Sequence, residues 1–469
     1  MYRYCIEKLK DWALRKDRGV MVLRGARQVG KTTLVRLLAE ELGLTLIEVN
    51  MEESQSFTDM LERREQAKDL LEIILLEQGV DKPTEEVLFF FDEAQAMPGL
   101  YAYLRYFKEK APEYRVVAAG SLFEFEIMRE SSPQGPTGRV EYAYLEPMSF
   151  EEFLRAKNAV AYKKLLSLSL KEPVPESLHN IFTELFKQYL VSGGMPAVVK
   201  AMCADAGPLR YDEIKSDIVT GYIDDLPKYS ELSGKKYDSE LLKILYEAVM
   251  AHPANSMKYT ELAPGYRAEI VRKHLSILED ARMIRRSFHT SANKMPLSAN
   301  EKKKDYKLYA LDIGLCYSYM GLPITDIYTV KDINDLSRGI LAEQYVAQTL
   351  AALPPYHKLK KLNHWESQKK SAVSEVDFVA SFGGNVVPIE CKSGKSSKMK
   401  SLRVMLGAKQ YEFALRVYAG NIGEEYIEVT LSSGEIRQTR LFSCPHYLLE
   451  RFASQTANRS TGISCWKLR

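Results

Sequence analysis

A lysine and a threonine stand side by side behind two glycines in the string Gly25-Ala26-Arg27-Gln28-Val29-Gly30-Lys31-Thr32, a spacing suited to gripping an anion. Glycines let successive backbone N–H groups curl inward, the lysine brings one charge on a flexible stem, and the following hydroxyl can ligate a divalent cation. The string lies between an apolar run and an amphipathic one, so the positive end of a helix dipole faces the same point. Together these groups match the β and γ phosphates of a nucleoside triphosphate carrying Mg²⁺. The expected contact set is Gly25, Ala26, Arg27, Gln28, Val29, Gly30, Lys31, Thr32 and Thr33.

A second acidic pair completes that chemistry. Val87-Leu88-Phe89-Phe90-Phe91 is a run apolar enough for a buried strand, and it ends in Asp92-Glu93. Asp92 is placed to hold Mg²⁺ with Thr32, and Glu93 to orient or deprotonate the attacking water. The next strand ends Ala118-Ala119-Gly120-Ser121; the Ser121 hydroxyl either bonds the attacking water or the γ-phosphate, or caps a helix. Arg139, just before a further strand, is either a finger reaching a neighbouring subunit's phosphates or a surface ion-pair residue.

These residues need a scaffold, and the apolar pattern supplies one. Short β-branched runs at Val20–Leu23, Leu44–Val49, Val87–Phe91, Arg115–Ala119 and Val140–Leu145 alternate with helical stretches at Thr32–Leu42 and Leu100–Glu109. This predicts an α/β P-loop NTPase with a parallel sheet over residues 1–155. Residues 156–235 read as a helical lid and 236–330 as a winged-helix region. Residues 331–445 read as a second α/β domain with strands Glu375–Ala380, Asn385–Glu390 and Arg416–Ala419, and 446–469 as a tail.

In the winged-helix region a helix through Ile270, Val271, Leu275 and Leu278 would bury those side chains and leave Arg267, Arg272, Lys273 and His274 on its open face. Such a module lays a helix in a DNA major groove or serves as a dimerisation or docking surface. Farther on, Glu343, Asp377, Glu390 and Lys392 are spaced as a helix glutamate, a strand aspartate and a Glu-x-Lys pair. On adjacent strands such residues can collect a second Mg²⁺ while the lysine steadies charge on an attacked phosphate. The pattern is similar to the PD-(D/E)-x-K set of restriction-endonuclease-like folds, with Ser374 and Glu375 where a proline often stands; members of that fold cut or only bind.

Composition is ordinary. The 469 residues carry a net charge of +3, 46% hydrophobic and 27% charged residues, so global charge argues for no particular partner. No run nears the roughly 18 apolar residues of a membrane span. Six cysteines without C-x-x-C spacing argue against a disulfide framework or zinc knuckle, and fit a cytoplasmic location. The histidines show no metal-binding spacing.

The strings GARQVGKTTL, LFFFDEAQ, AAGS and GRVEYAYLEPMSFEEF, then YLVSGGMPAVV, YIDDLPKY, Tyr309–Leu315 and Arg338–Glu343, resemble the prokaryotic AAA+ ATPase subfamily in which a C-terminal domain of unknown function follows the ATPase. The resemblance runs from about residue 15 to 445. It implies ATP binding and hydrolysis in a two-part cytoplasmic protein, and a restriction-endonuclease-like C-terminal fold, without implying a substrate. Two readings follow. One is an ATP-driven switch acting on DNA; the other is a protein-handling or signalling ATPase whose last domain docks a protein partner. Assembly into oligomers is left open by both.

Overall fold

The computed structural model describes residues 1–53, 66–97, 99–120, 138–232, 237–256, 258–293, 295–325, 340–367, 374–392, 399–409, 411 and 413–457. Strands β1 (Val20–Arg24), β2 (Thr45–Asn50), β3 (Val87–Asp92), β4 (Arg115–Ala119) and β5 (Val140–Tyr144) form a sheet in the order β2-β3-β4-β1-β5. All its pairings are parallel. Parallel strands are covered on both faces, and side chains alternate between the two. Met21, Leu23 and Phe90 join a core with helices Cys5–Leu14 and Lys31–Leu42. Val22, Phe89 and Phe91 join another with helices Ala67–Glu77 and Leu100–Lys110. The order sets β4 between β1 and β3, which brings the carboxyl ends of all three strands to one edge.

Helix Phe150–Lys157 leaves that sheet through a capping box: the Glu152 N–H donates to Ser149 Oγ at 3.2 Å and the Ser149 N–H donates to Glu152 Oε2 at 3.1 Å. Helices Glu176–Ser192, Pro196–Cys203 and Pro208–Leu232 follow. Asp312 ties this layer to the rest. Buried completely, its carboxylate accepts from the N–H groups of Gly194, Gly314 and Leu315 and from Gln348 Nε2, all within 3.2 Å. The SGGMP and ALDIGL strings therefore meet as a structural joint, and a Cβ on Gly193 would overlap the Asp312 carboxylate.

Helices Ser239–Ala251, Tyr259–Leu262 and Ala268–Asp280 precede an antiparallel hairpin of β6 (Ile284–Thr290) and β7 (Glu301–Ala310). Within Ala268–Asp280 the expected faces are corrected at two positions. Ile270 is 40% exposed and His274 only 5%, because His274 Nε2 accepts from the Asp238 N–H at 3.0 Å while Nδ1 faces the Ile270 carbonyl at 2.8 Å. His274 thus holds the incoming chain and presents nothing to solvent. Arg267, Arg272 and Lys273 are exposed as expected.

The boundary placed at residue 330 does not separate two independent bodies. Strand β8 (Leu362–Glu366) pairs in parallel with β6, and β9 (Glu375–Val376) pairs with β8, giving the order β7-β6-β8-β9. The hairpin and the C-terminal unit share this sheet. A further sheet holds β10 (Phe378–Phe382), β11 (Asn385–Cys391), β12 (Phe413–Tyr418), β13 (Gly423–Thr430) and β14 (Ile436–Pro445), in the order β10-β11-β12-β14-β13. The tail expected from residue 446 is also corrected: Leu449–Ala457 is a helix whose Leu449, Phe452 and Ala453 are core residues, and residues 458–469 lie outside the described ones. No described helix is long and apolar enough to cross a membrane.

Candidate nucleotide-binding site

The loop between β1 and helix Lys31–Leu42 curls as its composition demands. Gln28 (φ 63°) and Gly30 (φ 95°) lie in the left-handed region, and a Cβ on Gly25 would overlap the Leu145 carbonyl oxygen. Lys31 is 8% exposed, and its Nζ donates to the carbonyls of Gly25 at 3.0 Å and Ala26 at 2.9 Å. Burial pushes this ammonium down to about 8 against the opposing pull of Glu93 and Asp92. A buried cation whose hydrogen bonds go to carbonyl oxygens is one that an anion would stabilise.

Thr32 Oγ1 donates to Asp92 Oδ2 at 2.6 Å, so the hydroxyl and the carboxylate meet across the sheet edge. Burial raises the Asp92 pKa even though Thr32 and the Glu93 N–H oppose it. A hydroxyl oxygen beside a carboxylate is a hard-oxygen donor set that fits Mg²⁺. Glu93 stands at φ 50°, ψ 43°, a left-handed conformation that costs a non-glycine residue about 1 kcal/mol or more. Gln95 Nε2 holds its carboxylate at 2.7 Å. Gln95 is 6% exposed, its Oε1 has no hydrogen-bond partner among the described residues, and it lies against Gly120 at the end of β4. Ser121 lies outside the described residues.

Three contacts made from a distance brace the loop, and sequence spacing signals none of them. Arg3 Nη1 donates to the Val29 carbonyl at 2.8 Å, while its Nε pairs with Glu152 at 2.9 Å. Tyr222 donates its hydroxyl to the Arg27 carbonyl at 2.6 Å, and the Arg27 guanidinium pairs with Asp225. The long helix Pro208–Leu232 is thereby fastened to the loop. Arg139 is elsewhere: it precedes β5 at the end opposite the loop, with Nε donating to Glu109 at 3.0 Å. That position puts it out of reach of its own chain's phosphates.

In the C-terminal unit the structure brings Glu343, Asp377, Glu390 and Lys392 into one neighbourhood and adds a residue that sequence spacing does not signal. Lys307, on β7 and 6% exposed at its side chain, pairs with Glu343 at 3.0 Å, with Glu375, and with Asp377 at 4.0 Å. Burial works against this ammonium, but the three carboxylates outweigh it and hold its pKa well above the usual lysine value. Burial, reinforced by Asp377, pushes Glu343 up to about 8 and Glu390 up to about 7. Lys392 pairs with Glu390 at 2.6 Å, and the Cys391 N–H donates to Asp377 at 2.7 Å. Among the described residues no three of the His, Cys, Asp or Glu side chains close into a group able to hold a metal ion.

The fold and the loop define a class: a P-loop nucleotide-binding domain on a five-stranded parallel sheet. Family comparison agrees, since residues 17–154 match the family described as AAA domain. Residues 17–154 are thus similar to AAA domains. Residues 183–326 match a domain of unknown function, DUF8612, and residues 338–432 another, DUF4143. The first of these families spans both sides of the boundary expected at residue 235. No curated protein matches the chain. Among solved structures, the Thermotoga maritima RuvB Holliday junction branch migration motor is similar at 16% identity and TM-score 0.28, over 61% of this chain and 90% of that one. Pif1 helicase from Candida albicans is similar at 13% identity and TM-score 0.23, over 39% of this chain and 47% of that one. At these TM-scores neither likeness bears on function.

Proposed function

We propose that this chain is an ATPase that binds Mg-ATP on the Gly25–Thr33 loop and hydrolyses it, with the helical and winged regions carrying the change to a nucleic-acid partner. The observation that carries the reading is the convergence of buried Lys31, the 2.6 Å Thr32–Asp92 contact and the Gln95-held Glu93 at one sheet edge. Lys31 exchanges its carbonyl contacts for phosphate oxygens, and the loop N–H groups cradle the same anion. Thr32 and Asp92 would hold Mg²⁺, which when bound neutralises charge across the β and γ phosphates. Glu93 takes up a proton from the attacking water, and the spare Gln95 acceptor helps to position that water. Arg139, facing away from its own site, fits a finger offered to a neighbouring subunit, and Ser121 a hydroxyl at the γ-phosphate. Arg27 and Tyr222 link the nucleotide loop to the helix behind it, so loss of the γ-phosphate reaches the rest of the molecule.

The three helices and hairpin fit a winged helix, with Arg267, Arg272 and Lys273 outward. The C-terminal unit keeps the restriction-endonuclease-like reading on the strength of Glu343, Asp377, Glu390 and Lys392, which stand in one neighbourhood. A specific observation favours binding or docking over cutting in that unit: Lys307 already supplies the positive charge that the Glu343, Glu375 and Asp377 carboxylates face. The test is phosphate release by the full chain with and without DNA or RNA. Release that depends on Lys31 and rises with DNA or RNA supports the proposal; equal release with and without either removes the coupling to nucleic acid and favours the protein-handling alternative.

A further inference from the structure

We propose that the cleft where the AAA sheet, the helix Ala268–Asp280 and the chain entering β8 meet binds a single nucleic-acid strand. The inference rests on the nucleic-acid reading above and names the form of its ligand. One face of the helix, Arg272, Ser276 and Glu279, lines a cleft of about 620 Å³. Arg24 and Tyr144, at the ends of β1 and β5, form another wall, and Lys360 a third.

Charge selects the ligand. Basic side chains on the lining outnumber acidic ones two to one, and the acids are mostly engaged. Glu146 pairs with Arg285, Glu279 with Arg286, and Glu301 with Lys361 at 4.0 Å. Arg272 and Lys360 make no ion pair among the described residues. Lys360 instead donates to the Pro354 carbonyl at 2.9 Å, and burial beside Lys358 pushes its ammonium down to about 8, a state that a phosphate would relieve. Planar surfaces accompany the charge. Arg24 and Arg282 lie 5.1 and 5.4 Å from the centre of the Tyr144 ring, and Arg286 lies 5.3 Å from that of Phe288. Cationic side chains interleaved with aromatic rings are what a strand with splayed bases uses.

Size decides against a duplex. A recognition helix must stand clear to enter a major groove about 12 Å wide, whereas this helix looks across a cleft at the AAA sheet. The root of the hairpin is fixed there: Arg285 pairs with Glu146 and donates to the carbonyls of Ala310 and Leu311 at 2.9 Å. A cleft within the roughly 300–1,000 Å³ of small-ligand pockets admits a nucleotide or two of one strand. Arg24 also precedes Gly25 directly, so a phosphate drawn to Arg24 acts on the strand end from which the nucleotide loop starts.

Fluorescence anisotropy of the full chain with labelled oligo-dT, oligo-rU and an equal-length duplex, across a salt series, tests this. The expected result is tighter binding of at least one single strand than of duplex, with affinity falling tenfold or more in the Arg272→Glu, Lys360→Glu double variant; the dT and rU arms identify the sugar. Lys200→Ala, an exposed residue away from the cleft, should bind as the parent does. Arg272→Ala, at an exposed position that the fold tolerates, should make the salt slope shallower by about 0.7, the share of one phosphate-neutralising charge on a single strand. Strand binding unchanged in both cleft variants would overturn the cleft while leaving a nucleic-acid partner standing, as would preference for duplex. Binding of none of the three probes would overturn both.

Discussion

At the scale of single residues, the account turns on side chains held where charge is expensive to keep. Lys31 is buried with carbonyl oxygens as its hydrogen-bond acceptors among the described residues, and Glu93 sits in a strained backbone conformation steadied by Gln95. Replacing Glu93 by Gln keeps the shape and removes the proton acceptor, so phosphate release should fall by about 10²–10⁴-fold while ATP stays bound; single-turnover assays with labelled ATP check both halves. Asp280 makes a prediction about pH. Burial, then Glu279, raises it to about 6, so its folded pKa lies above its unfolded value. Its contribution to stability is whole below the ordinary value near 3.8 and is lost as pH rises through about 6. Asp280→Asn should therefore flatten the fall in melting temperature between pH 4 and 6 relative to the parent, and identical slopes would contradict it.

At the scale of elements, the nucleotide loop is shaped by what touches it. Gly25→Ala would drive a methyl into the Leu145 carbonyl oxygen and should cost more than about 1 kcal/mol, seen as a lower melting temperature together with weaker ATP binding. Asp225→Ala removes the Arg27 partner on helix Pro208–Leu232; turnover should fall more than ATP affinity, because the loop keeps its own cradle, and a titration beside steady-state rates separates the two. The first sheet is legible in the sequence because β1 to β5 are short apolar runs, and because the loop and Asp92-Glu93 each adjoin a strand end. The edge strand β13 is not legible: Glu424, Glu425, Tyr426 and Glu428 all face solvent, and only its pairing with β14 makes it a strand. The roles of Arg3, Gln95, Tyr222 and Asp225 are not legible from spacing: the last three lie in strings that carry the family resemblance, but nothing there says what they touch, and, Gln95 apart, all act on the loop from elements far away along the chain.

At the scale of the whole molecule, the parts are coupled by burial and by one lysine. The core that begins at Cys5 continues through the helical layer to Phe452, and the β7-β6-β8-β9 sheet joins regions that the apolar pattern divides at residue 330. Lys307 cannot be found from spacing, since its partners Glu343, Glu375 and Asp377 are brought to it only by that sheet and the helix above. Lys307→Met should destabilise the chain by about 1–3 kcal/mol, the cost of leaving partly buried carboxylates without their partner, and adding Glu375→Gln should recover part of that stability in a denaturant titration. The most direct measurement for the whole account is calorimetric titration of ATP with millimolar Mg²⁺ into the folded full chain and its Lys31→Ala variant. Saturable binding by the parent that weakens by about tenfold or more in the variant is the predicted result; a folded parent with no affinity for ATP, or a variant that binds equally well, would contradict it.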